Sequence, residues 1–392
     1  MSDRTATMSA PATESAAMTM TTTTTTTTTM STMSTMSTMS TTSILSIDLG
    51  KFKSVACRFD AATGAHAFAT IATTPPAVHD LLIDANPALL VIEACSVCGW
   101  VADLAESLGI AVRVANVLGA AWKWKRVKRK TDRDDALKLA KLAATDQLPL
   151  VHIPKLAVRQ HRALIRHRHA LIDRRTGIKN TIRSLLDAQG LSMPGRARGW
   201  TRASIAELKT LARPLSACDM NNLWRGQLDL ELRMLEAVAA LIREADKKLD
   251  AIAAADPRIT RLKTAPQVGT RLAELVVTTL DDPHRFKNAK QVSCYAGLVP
   301  KQYQSGQMNR LGRITGQGPG LLRRVLVQVA WGLQRRRETR GHAVFERLCH
   351  GQRTRRKQAV VALARKILCW CWAMLRDGSV WDDSRGRPPA LT

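Results

Sequence analysis

The chain is short of acidic side chains. It has 32 aspartates and glutamates against 59 lysines and arginines, which gives a formal net charge of +27 at pH 7. Only three charged residues fall within the first 42, so the basic excess belongs to the rest of the chain. Such an excess favours a polyanionic partner, and nucleic acid is the most common one. Charge alone leaves open a binding protein without catalysis, of the ribosomal or histone-like kind.

Long apolar runs and paired cysteine motifs are also lacking. No stretch approaches the roughly 18 uninterrupted apolar residues of a membrane span, and the N-terminus does not resemble a secretory signal. The eight cysteines are scattered, and Cys95 and Cys98 form a single CxxC without the second pair that a zinc site of this type needs. We therefore expect free thiols in a reducing, cytoplasmic compartment and no membrane association.

Composition and periodicity divide the chain into five parts. Residues 1–42 are rich in threonine, methionine and serine, and we expect them to be disordered. Residues 43–150 alternate short apolar strands with helices, which predicts an α/β domain with a mixed sheet. Residues 151–258 predict long coiled-coil helices, residues 259–378 a mainly α-helical C-terminal domain, and residues 379–392 a polar tail.

The long helices carry apolar residues at intervals of seven. Two such seams predict an antiparallel helical hairpin or a coiled coil between chains, with an ordinary helical bundle as the alternative. Farther along, the turn at residues 264–270 resembles that of a helix-hairpin-helix, whose glycine lets backbone amides approach a phosphate. The seams consist of Leu164, Leu171, Ile178 and Leu185, and of Leu228, Leu235, Ile242 and Leu249.

Four acids stand at the ends of predicted elements in the α/β domain. Asp48 ends the first strand and Glu93 the fourth, while Asp132 and Asp135 share one face at the start of a helix. Acids are unfavourable at the ends of buried strands unless they are paired, and converging carboxylates suit Mg²⁺. Taken singly, Asp132 could cap its helix and Glu93 could pair with an arginine. Together the four predict a Mg²⁺ site, from which Asp134 points away.

Immediately upstream lies a segment of basic and aromatic residues. Such a segment can track phosphates while its rings stack on bases, and the alternative is a solvated basic helix face. Further basic stretches at 159–183 and 335–357 would add to nucleic-acid binding. The predicted contact residues of the segment are Trp122, Lys123, Trp124, Lys125, Arg126, Lys128, Arg129 and Lys130.

These motifs, in this order, resemble the DEDD transposases of the IS110 insertion-sequence family. The resemblance covers roughly residues 44–376, and the sequence departs from it in the N-terminal tail, at Gly316 and at 318–320. In the N-terminal half, the resemblance rests on Ile44–Asp48, Val91–Glu93 and Lys130–Ala136. In the C-terminal half, it rests on Ser293–Pro300, Gln304–Gly306, Gly312–Thr315 and Leu322–Arg324.

The resemblance implies a RuvC-like N-terminal domain of the RNase H fold, with the four acids as its metal ligands. It also implies a catalytic serine, Ser305, which attacks a DNA phosphate and becomes covalently linked to the DNA. Subunits would assemble around donor and target DNA as a dimer or tetramer, in a bacterial cytoplasm and on the nucleoid when bound. Well-studied relatives pair a structured guide RNA with both DNAs, which implies the same partner here.

From the residues alone, Ser305 is a turn residue in a polar, glycine-containing loop. A serine hydroxyl is a weak nucleophile that needs a base, a metal or a charged environment. Nearby arginines could supply that charge, because their forks suit a phosphate transition state. Two other functions stay open: a RuvC-like, structure-selective nuclease that uses water, and a nucleic-acid binder without catalysis. The arginines in question are Arg310, Arg313, Arg323 and Arg324.

Overall fold

A five-stranded mixed sheet forms the N-terminal part of the protein in a computed structural model, which describes residues 43–116, 131–195 and 199–382. The predicted tail at 1–42 and the basic segment at 122–130 lie outside the described residues. The strands are β1 (Ser43–Asp48), β2 (Lys53–Asp60), β3 (His66–Ala72), β4 (Leu89–Glu93) and β5 (Ala111–Ala115).

The strand order is β3-β2-β1-β4-β5. The first three strands form an antiparallel meander, because short turns join them, and β4 and β5 run parallel to β1 after helical crossovers. This arrangement confirms the predicted RNase H-like fold class.

Helices cover both faces of the sheet. Helices α1 (Pro75–Ala85) and α2 (Cys98–Ser107) pack on the face that carries Leu45 and Ile47. Helix α3 (Asp132–Ala144) packs on the opposite face, which carries Ile44. Because successive side chains of a strand point to opposite faces, the apolar run of β1 supplies both cores at once.

A long antiparallel hairpin follows. Helices α4 (Leu156–Ala188) and α6 (Leu223–Ala255) pack along each other, with Ile182 beside Leu228 at one end and Ile165 near Leu249 at the other. The predicted hairpin within one chain is therefore confirmed.

The two helices differ in how their predicted seams are used. In α6 all four predicted seam residues are buried. In α4 only Leu171 of the predicted seam is fully buried, and the seam passes through Ile165, Ile182 and Leu186 instead. A straight helix has 3.6 residues per turn, so a strict repeat of seven drifts out of the contact. A short helix that was not predicted, α5 (Arg202–Leu211), covers the far end with Leu208.

Leu228→Ala is expected to lower the free energy of unfolding by about 2–5 kcal/mol, because it opens a cavity between the helices. Leu228 is completely buried, whereas Leu230 of the same helix is 39% exposed. Leu230→Ala is the matched control and should cost less than about 1 kcal/mol. Urea denaturation followed by circular dichroism measures both, and equal losses would contradict the packing described above.

The C-terminal part is mainly helical, as predicted, but contains a hairpin and a helix that were not. Helices α7 and α8 flank the turn at 264–270, as the helix-hairpin-helix interpretation expects. The elements are α7 (Pro257–Leu262), α8 (Thr270–Leu280), α9 (Ala289–Tyr295), β6 (Pro300–Ser305), β7 (Met308–Ile314), α10 (Gly320–Leu333), α11 (Arg340–Cys349) and α12 (Arg356–Asp377).

Helix α12 forms the centre of this part. With the turn before it, it spans 353–377. Among the described helices it is the one long and apolar enough to cross a membrane by length and composition, but 56% of its apolar 18-residue window is buried inside the protein. Its buried side, which includes Leu363, Leu368 and Trp372, belongs to the same core as α8 and α10. All eight cysteines are free thiols, as predicted.

An ion-pair network joins the hairpin to the C-terminal part. Asp246 of α6 accepts hydrogen bonds from Arg168 of α4 at 3.0 and 3.3 Å, and it lies 3.2 Å from Arg271 of α8. Arg271 also donates to Glu274, which is completely buried, at 2.6 Å. The Asp246 carboxylate of α6 therefore contacts arginines of both α4 and α8.

Asp246→Ala is expected to destabilise the protein by about 1.5–3 kcal/mol, because Arg168 loses a charged hydrogen-bond partner and Arg271 loses an ion-pair partner, and both arginines are partly buried. Asp229→Ala is the control on the same helix. Its partner is Arg233, an exposed residue one turn away, and such a pair contributes only about 0.3–0.5 kcal/mol. Thermal unfolding of both variants measures the difference, and a loss from Asp229→Ala as large as that from Asp246→Ala would refute the role of the network.

Candidate active site

The strand-end acids lie side by side. Strands β1 and β4 are parallel neighbours with Ile47 opposite Ile92, so Asp48 and Glu93, the next residue of each strand, end adjacent strands together. Glu93 shares a sheet face with Val91, which packs under α3. Asp48 is likewise on the α3 face, two residues beyond Ser46. Both carboxylates therefore belong to the layer between the sheet and α3.

The start of α3 is fixed by a reciprocal cap. The Thr131 hydroxyl accepts from the Asp134 amide at 3.3 Å, and the Asp134 carboxylate accepts from the Thr131 amide at 3.1 Å. Asp134 is thus occupied in capping, in keeping with its exclusion from the predicted metal set. Asp132 is the first helical residue and is not the cap, so its side chain is not needed to begin the helix.

A buried hydrogen bond links the start of α3 to the sheet. The buried Ser46 hydroxyl donates to the Ala136 carbonyl at 2.7 Å. Asp135, next to Ala136, is only 6% exposed, whereas Asp132 lies one turn earlier and is exposed. Asp135 is therefore buried beside the contact between α3 and β1, whereas Asp132 lies at the exposed start of the helix.

The set suits a divalent cation in its donor chemistry. All four groups are carboxylates, the oxygen ligands that hard divalent cations prefer, and all lie on the α3 side of the sheet. Within the described parts of the chain, however, no three potential ligands are gathered closely enough to hold a metal ion. Binding would require the carboxylates to draw together.

The neighbouring CxxC does not add to this set. Burial raises the pKa of the Cys95 thiol, and the carboxylate of Glu93 raises it further. A thiol must lose its proton to bind a metal, so both effects oppose ligation. The absence of a zinc site at Cys95 and Cys98 stays a prediction.

Ser305 lies at the tip of a β-ribbon and not in a loop, so the expectation of a loop was wrong. It ends β6 and pairs with Met308 of β7 across a turn in which Gly306 has φ +54°. Every residue from 301 to 313 is exposed. The ribbon has no buried face, so it lacks the alternation of apolar and polar residues by which strands are recognised in a sequence. Ser305 is therefore exposed to solvent at the tip of the ribbon.

The four arginines near Ser305 in sequence have different surroundings. Arg310 and Arg313 lie on β7 and are exposed on the same ribbon as Ser305. Arg323 donates to the carbonyls of Ala296 and Gln317, at 3.1 and 2.8 Å, and so closes the loop before α10.

Arg324 pairs with Asp173 of α4 at 3.1 Å. Arg323 and Arg324 are therefore engaged within the protein, whereas Arg310 and Arg313 share the ribbon with the serine.

The sequence at 318–320, which departs from the pattern of the IS110 resemblance, is compatible with the fold. Gly318 has φ +81°, and a Cβ there would lie 2.2 Å from the Tyr295 carbonyl oxygen, so only glycine fits. Pro319 takes the cap position before α10 and not the first helical position that its ring favours. Gly316 also has a left-handed backbone, with φ +66°.

Two family profiles match separate parts of the chain. One is described as "Transposase IS116/IS110/IS902 family" and matches residues 259–346, which include the ribbon. The other, a DEDD transposase domain of IS110 elements described as "Transposase", matches residues 45–189, which include the four acids.

Individual relatives agree with these profiles. A "Probable family 20 transposase" of Pseudomonas aeruginosa is 31% identical over 76% of this chain and 87% of its own length. The transposase for insertion sequence element IS1111A of Coxiella burnetii is 30% identical over 63% and 66% of the respective chains. The transposase for IS1328 of Yersinia enterocolitica is 29% identical over 75% and 86%.

Proposed function

The chain belongs to the IS116/IS110/IS902 family of transposases and acts on DNA, and from this premise we propose that it cuts and rejoins DNA with two separate sets of catalytic groups. One set is the carboxylates on the α3 side of the sheet edge. The other is Ser305 with its neighbouring arginines. The observation that carries this proposal is the exposure of Ser305 at the tip of a ribbon without a buried face.

The carboxylate set would hold a divalent metal ion, which the DEDD family generally implies, and we propose that the ion is Mg²⁺. When bound, such ions position a scissile phosphate and stabilise the charge on the oxygens that attack and leave. In this chain Asp48, Glu93 and Asp135 would supply ligands from the covered edge, and Asp132 from the exposed rim. The fixed start of α3 keeps the helical pair of acids over the strand ends.

Ser305 would be the nucleophile. Its hydroxyl oxygen forms a bond to phosphorus while the bond from phosphorus to one DNA oxygen breaks, so one strand end leaves as a hydroxyl and the other stays on the serine. The serine–DNA ester conserves the bond for later rejoining to a different strand end. Arg310 and Arg313 would stabilise negative charge on the phosphate in the transition state.

Assembly would bring the two sets together. The ribbon extends into solvent, so a serine can reach DNA that is held at the carboxylate edge of another subunit, and we propose a homodimer or tetramer. A structured guide RNA would select sequence by base pairing, which leaves the protein to bind backbones through its basic stretches. The site of action would be the bacterial cytoplasm, on the nucleoid.

A plasmid recombination assay tests the proposal. Purified full-length protein, the flanking transcript of its element, donor DNA, target DNA and Mg²⁺ are combined, and the products are resolved on a denaturing gel. We expect recombinant plasmid and a protein–DNA adduct that survives denaturation. Cut DNA without any adduct would instead support a water-using nuclease, the alternative favoured by the RNase H-like domain alone.

A further inference from the structure

A groove of about 790 Å³ lies between the base of the β6–β7 ribbon and the first turns of α12. Its apolar surface comes from Leu298 and Leu311 on the ribbon side and from Val361 on the helix. Leu311 is 65% exposed, an unusual position for a leucine on a ribbon that nothing in the described chain covers.

The groove is bordered by cations from both sides. Arg313 comes from β7, and Lys357 and Arg365 come from α12, while no acidic residue lines the groove in the part of the chain that the structure describes. Lys357 and Arg365 are eight residues apart on one helix, which separates them by about 12 Å along its axis. Phosphates of one DNA strand recur every ~3.4 Å of a duplex, so the span between Lys357 and Arg365 corresponds to several phosphates.

The groove also leads to the serine. Leu311 is paired with Gln302, three residues before Ser305 on the same strand. At ~3.3 Å per residue, the tip of the ribbon is only about 10 Å from the groove. A strand that lies in the groove and continues along β7 therefore passes the serine within a few nucleotides.

We propose that this groove holds the DNA strand whose phosphate Ser305 attacks, an inference that rests on the proposed function. Phosphates lie on Arg313, Lys357 and Arg365, and the face of an unstacked base lies on Leu311 and Val361. Charge complementarity selects this occupant, because an apolar protein segment would bury three cations without partners, which is costly. Bases of any kind have an apolar face, so this contact is tolerant of sequence.

The test is binding of full-length protein to a fluorescent, mixed-sequence single-stranded oligodeoxynucleotide, measured by anisotropy across a salt series. Lys357→Gln combined with Arg365→Gln should lower affinity about tenfold at physiological salt and reduce the slope of log K against log salt by about 1.4, since each lost contact removes ~0.7. The control is Lys287→Gln combined with Lys290→Gln, the same loss of charge at exposed positions outside the groove. An equal effect of the two pairs would overturn the groove as the binding site.

Two further probes test the apolar surface of the groove and whether the bound strand is DNA or RNA. Leu311→Ala should weaken binding to the intact oligonucleotide and leave binding to an abasic oligonucleotide unchanged. Equal weakening of binding to both oligonucleotides would exclude a base contact. If Lys357→Gln combined with Arg365→Gln weakened binding to RNA of the same sequence but not to DNA, the assignment of the groove to DNA would be wrong.

Failure of the groove and failure of the serine chemistry give different results. Reduced binding by the groove variants, together with no adduct from wild-type protein, would support the groove and reject the serine nucleophile. Wild-type levels of adduct in the groove variants at limiting DNA would reject the groove and keep the serine.

Discussion

Ser305→Ala is expected to abolish both recombination and the protein–DNA adduct, with a loss of at least about a thousandfold in strand cleavage. The ribbon should survive the change, because Ser305 is exposed and no core depends on it. DNA binding should therefore stay at the wild-type level. Denaturing gels for the adduct, and plasmid products for recombination, measure the effect.

Met308→Ala is the matched control for this experiment. Met308 is the cross-strand partner of Ser305 and is 56% exposed, so its truncation alters the same turn without removing a hydroxyl. It should retain the adduct. If Ser305→Ala still cut DNA at the wild-type rate, the nucleophile would be water and the ribbon would serve binding alone.

Asp135→Asn is expected to lower Mg²⁺-dependent cleavage by at least about a hundredfold while leaving the fold intact. The substitution keeps the shape of a side chain that is 6% exposed, but it removes the charge that a divalent cation requires. Asp48→Asn should have the same effect from the strand side. Cleavage as a function of Mg²⁺ concentration, with binding measured separately, distinguishes lost catalysis from lost affinity.

Asp134 provides a control one residue away. Its carboxylate accepts a hydrogen bond from the Thr131 amide, and the side-chain carbonyl of an asparagine can accept the same bond, so Asp134→Asn should keep both stability and cleavage. The comparison separates a ligand role from a general need for negative charge at this helix start. Equal loss of cleavage in Asp134→Asn and Asp135→Asn would reject the assigned set.

The N-terminal sheet could be predicted closely because each strand is a short apolar run between turn residues. Packing on both faces leaves little choice of register, so the predicted ends of the first and fourth strands, at Asp48 and Glu93, match the structure. The β6–β7 ribbon could not be predicted in this way, since neither of its faces is buried and its residues carry no alternating pattern.

Sequence proximity was a poor guide to the surroundings of the arginines. Arg323 and Arg324 follow Ser305 by fewer than twenty residues, yet one binds backbone carbonyls and the other binds Asp173 on the hairpin. Lys357 and Arg365 are much farther along the chain and border the groove at the base of the ribbon. Only the packing of α12 brings them there, and no local pattern encodes that contact. The role of Ser305 likewise came from the family resemblance, because its own residue pattern indicates only a turn.

The ion pairs around Asp246 have a mechanical consequence. They hold α8 against both long helices, and His152, just before α4, bonds Asp281 at the end of α8 at 2.7 Å. A hinge between the two halves of one chain would have to break these bonds, whereas an exchange of neighbours between chains would break none of them. Each chain is therefore suited to act as a stiff spacer, and in the proposed assembly strands would be rearranged by changing which subunits face each other.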